Sequence, residues 1–158
     1  MFKVIYKNEE MVREARRLKG LKPRTVLQAF GAWMLGSVAE NFRAQGRPEK
    51  WKALKFETLK ARFMRGNRRR KNKRWVRTPA AMRFFAGAKI LMDSGRLANS
   101  IGFAVKGNQV EIGTNLIYAA THQFGDKKRN IPARPFLVFQ DRDVEEFAGM
   151  IEDWMMGE

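Results

Sequence analysis

The sequence predicts a small α+β domain: an antiparallel sheet containing a hairpin at 100–114, packed against several helices, with an acidic helix at the C-terminus. Three observations carry this expectation. Apolar and polar residues alternate through "SIGFAVKGNQVEIGT", with Gly107-Asn108 as a turn pair that tolerates positive φ. Apolar residues recur at helical spacing from Pro23 to Gln45 and again after Asp141. The chain has 158 residues, enough for one domain that buries roughly 70% of its unfolded surface without external staples.

Taken in order, "FKVIY" reads as a short strand. Asn8 then caps a helix through about Lys19, with Glu9 and Glu10 in its first turn and basic residues later, as the helix dipole favours. "GLKP" breaks it. The next helix starts at Pro23 and stops at Gly46. Its stripe of Val26, Phe30, Trp33, Val38 and Phe42, widened by Leu27, Met34 and Leu35, predicts a largely buried element. Gly31 and Gly36 inside it each cost about 1 kcal/mol against alanine, so both are read as points of close approach. "RPEKWKALKFETLKARF" reads as a further helix with Trp51, Leu54, Thr58, Leu59 and Phe63 on one face.

The pattern then fails. Lys60 to Arg77 holds ten bases and no acid, and 65–74 is almost devoid of apolar residues. Such a stretch cannot order itself by burial, so 65–80 is expected as an exposed, mobile loop. A short amphipathic helix is expected at 79–92. In the hairpin, Val105 should face Val110, and Phe103 should face Ile112, leaving Ala104 and Glu111 on the other side. After it, the prolines of "IPARPFLVF" favour an extended entry, and "FLVF" is expected as a final edge strand. Asp141 or Asp143 can cap the last helix, along which Val144, Phe147, Ala148, Ile151, Trp154 and Met155 repeat.

Thirty-two basic residues against sixteen acidic ones give a net charge of +16, which predicts attraction to nucleic acid or to an acidic protein surface. The charge is uneven. Residues 141–158 carry seven acids and one base, so the acidic end can meet a basic body within one subunit or between neighbours. Asp141, Asp143, Glu145 and Glu146 are the candidates for such an interface. Arg68, Arg69, Arg70, Lys71, Lys73 and Arg74, with Trp75 beside them, can neutralise phosphates and stack a base, or dock on an acidic protein. The plainer alternative is a solvated loop. No recognition motif accompanies the charge, so only non-specific DNA contact is expected.

Cysteine is absent, which excludes disulfides and thiolate metal sites. No run approaches the ~20 apolar residues of a membrane span, and the N-terminus lacks signal-peptide features, so no membrane partner is expected. A single histidine, His122, cannot build a histidine-rich zinc site. "SGRL" at 94–97 is no nucleophile elbow and "GTN" is no phosphate loop. Ser94 and His122 can approach in space, but a loop histidine that fixes its own turn is the simpler reading. No catalytic residue, metal or cofactor is expected.

"LMDSGRLANSI", "VEIGTNLIYAATHQFGD" and "IPARPFL" together resemble the phage virion morphogenesis family, the tail-completion or neck proteins of Mu-like and related tailed phages. The resemblance runs from about Leu91 to the end and extends more weakly to "WKALKFETLKAR"; the segments 1–48 and 65–80 carry none of it. Its matching positions are Asp93, Ser94, Gly95, Leu97, Ser100 and Ile101; then Gly113, Thr114, Asn115, Tyr118, Ala119, His122, Gln123, Phe124 and Gly125; then Pro132, Ala133, Arg134, Pro135 and Phe136. It implies a structural protein acting where a DNA-filled head meets a tail, assembled as a ring of copies alongside neck, connector or tail proteins. Within that reading, "YAATHQFG" is one helical turn closed by Gly125. Tyr118 and Phe124 anchor it, while His122 and Gln123 supply polar contacts to the loop or to "PARPF".

Overall fold

The computed structural model describes residues 2–7, 23–66 and 77–156. The helix expected at 8–19 and the cations Arg68, Arg69, Arg70, Lys71, Lys73 and Arg74 lie outside the described residues. Within them the order is β1 (Phe2–Lys7), α1 (Pro23–Ala44), α2 (Phe56–Gly66), α3 (Pro79–Gly87), α4 (Arg96–Asn99), β2 (Gly102–Lys106), β3 (Gln109–Thr114), α5 (Ala119–Phe124) and α6 (Asp141–Met156). The class is α+β, as the residues predict.

The hairpin pairs in the predicted register, Val105 with Val110 and Phe103 with Ile112. The first strand completes the sheet on the other side, Phe2 opposite Thr114 and Lys7 opposite Gln109, giving the antiparallel order β1-β3-β2. The central strand therefore alternates cleanly: Val110, Ile112 and Thr114 are buried, and the residues between them are half-buried. On the outer face, Glu111 accepts from Lys3 at 2.7 Å and pairs with Lys106 at 2.9 Å, tying both edge strands to the middle one. Those two ammonium groups hold the Glu111 carboxyl below its usual pKa.

The inner face packs on α1, whose Phe30, Met34, Val38 and Phe42 are buried. Burying side chains of this size contributes about 1.5–3 kcal/mol each. Gly31 is the point of closest approach, since a Cβ there would lie 2.2 Å from the Phe103 ring. Gly36 is different: it is exposed, and a Cβ would meet nothing within 4 Å among the described residues. Phe147 of α6 stacks edge-on against Phe30 at 5.1 Å, which closes the core from the other side.

Three expectations fail for tertiary reasons. The helix expected from Arg47 begins only at Phe56. Trp51 instead folds back into the core at 7% exposure and donates its indole N–H to the Pro135 carbonyl at 2.9 Å. The Trp51 amide bonds Gln45 O at 2.8 Å, an arrangement a continuous helix forbids. Of the loop expected at 65–80, residues 67–76 lie outside the described residues; at its described ends α2 reaches Gly66, and Thr78 Oγ1 caps α3 by accepting from Ala81 N. The helix expected at 79–92 stops at Gly87, because Leu91 enters the core through a turn with φ of 58°. Finally, "FLVF" is no strand. The Asn41 amide donates to Phe136 O at 2.9 Å and Val138 O at 2.7 Å, and Gln123 bonds Phe136 N, Leu137 N and Leu137 O, so side chains satisfy five backbone groups that a strand would pair in a ladder.

Candidate functional site

The loop after β3 is built around one short helix. Thr114 Oγ1 accepts from Leu116 N at 3.2 Å and shares a 2.7 Å hydrogen bond with Ser100, so two of the quoted blocks meet there. Gly113 must be glycine for β1 to pair, since a Cβ would lie 2.3 Å from Phe2 O. Asn115 is exposed. Ala119 and Gln123, four residues apart, turn inward. Gln123 Oε1 accepts from Phe136 N at 3.0 Å and Leu137 N at 3.1 Å, while its amide donates to Leu137 O at 3.3 Å.

Gly125 ends the helix with φ of 78°, and a Cβ there would lie 2.7 Å from Ala133 N. The chain then reverses. Asp126 and Ile131 exchange two 2.8 Å hydrogen bonds, and Asp126 also accepts from the backbone N and the guanidinium of Arg129. Those bonds lower the Asp126 pKa. Arg134, buried at 7% exposure, links the loop to the rest: its N–H donates to His122 O at 2.7 Å, and its guanidinium reaches the carbonyls of Lys52 and Ala53. Burial, with the charge of Arg62 behind it, lowers the Arg134 pKa. Pro132 and Pro135 hold the extended path between these anchors, and Phe136 is fully buried.

The anchoring roles differ from those expected. Phe124 and Tyr118 are 70% and 41% exposed, and Ile117 is 95% exposed; the loop presents these residues outward. Phe124 meets the Phe2 ring edge-on, with centroids 5.5 Å apart. The inward anchors are Ala119, Gln123 and Phe136. His122 makes no side-chain bond to "PARPF": its Nδ1 is buried without a partner among the described residues, and Tyr118 sits edge-on at 5.9 Å. Burial, then the cations Arg134, Arg62 and Arg129, lower the His122 pKa, which keeps the ring neutral.

His122 and Ser94 do come together. With Arg62, Asp93, Arg96 and Tyr118, over Leu91 and Leu97, they line a cavity of about 240 Å³ between α2, α4 and α5. No hydrogen bond links Ser94 to His122 among the described residues; Ser94 Oγ accepts from Arg96 N. The nucleophile–base contact that activates a serine is therefore not formed. Asp93 pairs with Arg65 at 2.9 Å and lies 3.7 Å from Arg62, whose Nη1 donates to Lys89 O.

The acids of α6 divide. Asp141, Glu145 and Glu146 are exposed, with Glu146 bonded to Arg142. Asp143 turns inward at 7% exposure and accepts from Ser37, from Gln140 N and from Arg47 at 3.2 Å, while Trp33 donates to its carbonyl. Burial pushes its carboxyl up, but the Ser37 and Gln140 hydrogen bonds and the Arg47 charge outweigh that and hold it below the ordinary value. Arg47 and Asn41 were not singled out from the sequence. Arg47 carries no signal, and that of Asn41 is faint: like Ser37, it is a polar residue inside the apolar stripe of α1.

Among the described residues, no helix is long and apolar enough to cross a membrane, and no three His, Asp or Glu side chains group where they would hold a metal ion. A Mu-like prophage FluMu G protein 2 from Haemophilus influenzae is 31% identical over 134 residues, covering 82% of this chain and 75% of that protein. An uncharacterised protein of Methanocaldococcus jannaschii is 59% identical over 32 residues, 20% of this chain and 24% of that one. No solved structure matches. The family model for phage virion morphogenesis matches residues 6–156. Since that span holds the hairpin, the α5 loop and the buried Arg134 anchor, the chain belongs to the phage virion morphogenesis family.

Proposed function

We propose that this protein is a structural virion subunit of a tailed phage or prophage, forming a ring at the neck or tail end and acting in head–tail joining. The observation that supports this reading is the two-sided loop. Its inner side is fixed by Gln123, Arg134 and Ala119, while Ile117, Tyr118 and Phe124 stand in solvent. A rigid loop with outward apolar side chains suits contact with another protein surface rather than turnover. Its partners are copies of itself, neighbouring neck, connector or tail proteins, and DNA contacted without sequence preference. No catalytic role falls to His122 in this reading.

Locating the subunit by cryo-EM in intact particles tests the proposal: it should occupy a ring at the head–tail junction or the tail end. Absence from finished particles would overturn it. A second reading, a stand-alone nucleic-acid-binding module, is favoured by the ten bases of Lys60–Arg77. It expects a monomer that binds DNA tightly at low salt and never assembles.

A further inference from the structure

We propose that the cavity between α2, α4 and α5 is a carboxylate seat, and that its occupant is an acidic side chain of α6 from a second copy of the chain. The inference rests on the ring reading and assigns its contact. Six polar side chains face the cavity, Arg62, Asp93, Ser94, Arg96, Tyr118 and His122, over a floor of Leu91 and Leu97. Asp93 is the one carboxylate among them, and Arg65 and Arg62 already engage it. Arg96 has no ion-pair partner among the described residues. Close behind, Arg134 is held by carbonyl oxygens instead of a carboxylate. The site is thus left with positive charge that nothing described in this chain neutralises.

His122 forms part of the cavity wall. Its Nδ1 is buried with no hydrogen bond among the described residues, although buried ring nitrogens are normally paired. A carboxylate entering the cavity can accept from the Ser94 hydroxyl and from the Arg96 guanidinium, both on exposed residues. About 240 Å³ admits a side chain and is below the usual size of small-molecule sites. Tyr118, 41% exposed, lines the cavity, and the exposed Ile117 and Phe124 stand on the same loop as further apolar surface for a partner.

The complementary surface is on α6. Asp141, Glu145 and Glu152 recur at four- and seven-residue spacing and are all exposed, so they form one acidic stripe. None of them lines the cavity of its own chain. Stripe and seat belong to different surfaces, which is the head-to-tail arrangement that closes into a ring.

Because the chain has no cysteine, the full-length Ser94→Cys/Glu145→Cys variant reports this contact directly. Mild oxidation of the double variant should give a ladder of disulfide-linked oligomers, whereas each single variant should stay monomeric and the two single variants mixed should give a cross-linked dimer. A double variant that yields only monomers or dimers overturns the assignment. As a second measurement, Arg96→Glu or Glu145→Arg alone should weaken association in sedimentation by about tenfold at low salt, and the two together should recover most of it. Absence of recovery also overturns it. If the subunit is located in particles but no ladder forms, the seat is wrong and the virion role stands. If the ladder forms but particles lack the subunit, the virion role fails and the contact stands.

Discussion

Gln123 is the residue on which the α5 loop turns, because one amide serves three backbone groups of Phe136 and Leu137. Gln123→Ala leaves two buried N–H donors unmade, and a loss of about 3 kcal/mol is expected in urea unfolding. Gln123→Glu should be nearly as damaging, since it replaces the donor to Leu137 O with a buried charge. His122 gives the residue scale its pH dependence. Its folded pKa lies below the ordinary 6.5, so the neutral form is favoured by folding. The stability it contributes is full above 6.5 and is lost as pH falls through the folded value. Melting temperature should therefore decline on that acid side in the wild type, and the decline should be smaller in His122→Asn. An identical pH profile in both would contradict the buried neutral ring.

At the scale of elements, α1 distinguishes its two interior glycines. Gly31→Ala drives a methyl into the Phe103 ring and should cost about 1–3 kcal/mol. Gly36→Ala meets no atom within 4 Å among the described residues and should stabilise by up to about 1 kcal/mol. Thermal melts of the two variants should move in opposite directions. The hairpin was legible in the sequence because its pairing depends on neighbours, a turn pair flanked by alternating side chains. "FLVF" and the stretch around Trp51 were misread for the converse reason. Their local patterns are strand-like and helix-like, but Asn41 and Gln123 reach the first across the fold, and the Pro135 carbonyl holds the Trp51 indole in the core. The inward turn of Asp143 belongs here too: helical spacing allowed a cap, and Arg47 with Ser37 decided where the carboxylate went.

For the whole molecule, charge separates folding from assembly. Glu145 and Glu146 are exposed, so reversing both to lysine should leave the monomer's melting free energy within about 0.5 kcal/mol. The same change should shift sedimentation toward smaller species at low salt, because screening is weakest there. Arg68, Arg69, Arg70 and Lys71 changed to serine should reduce DNA retention in a gel-shift at low salt; an unchanged shift leaves only protein docking for that segment. The family blocks were readable at 113–125 and 132–136, yet the side of the loop that each residue faces was not. Tyr118 and Phe124 look like core residues in any apolar tally, and only the packed fold turns them outward.

By itself the sequence determined the α+β class, the hairpin register, the acidic last helix and the family blocks, because periodicity, turn chemistry and residue order act over a few neighbours. Tertiary structure alone decided that Gln123, Asn41 and Arg134 hold the loop, that Asp143 is spent inside the subunit, and that His122 and Ser94 share a cavity. Those contacts join residues far apart in the chain. Their partners are fixed by which buried backbone groups remain unpaired once the core has closed, and no local pattern records that.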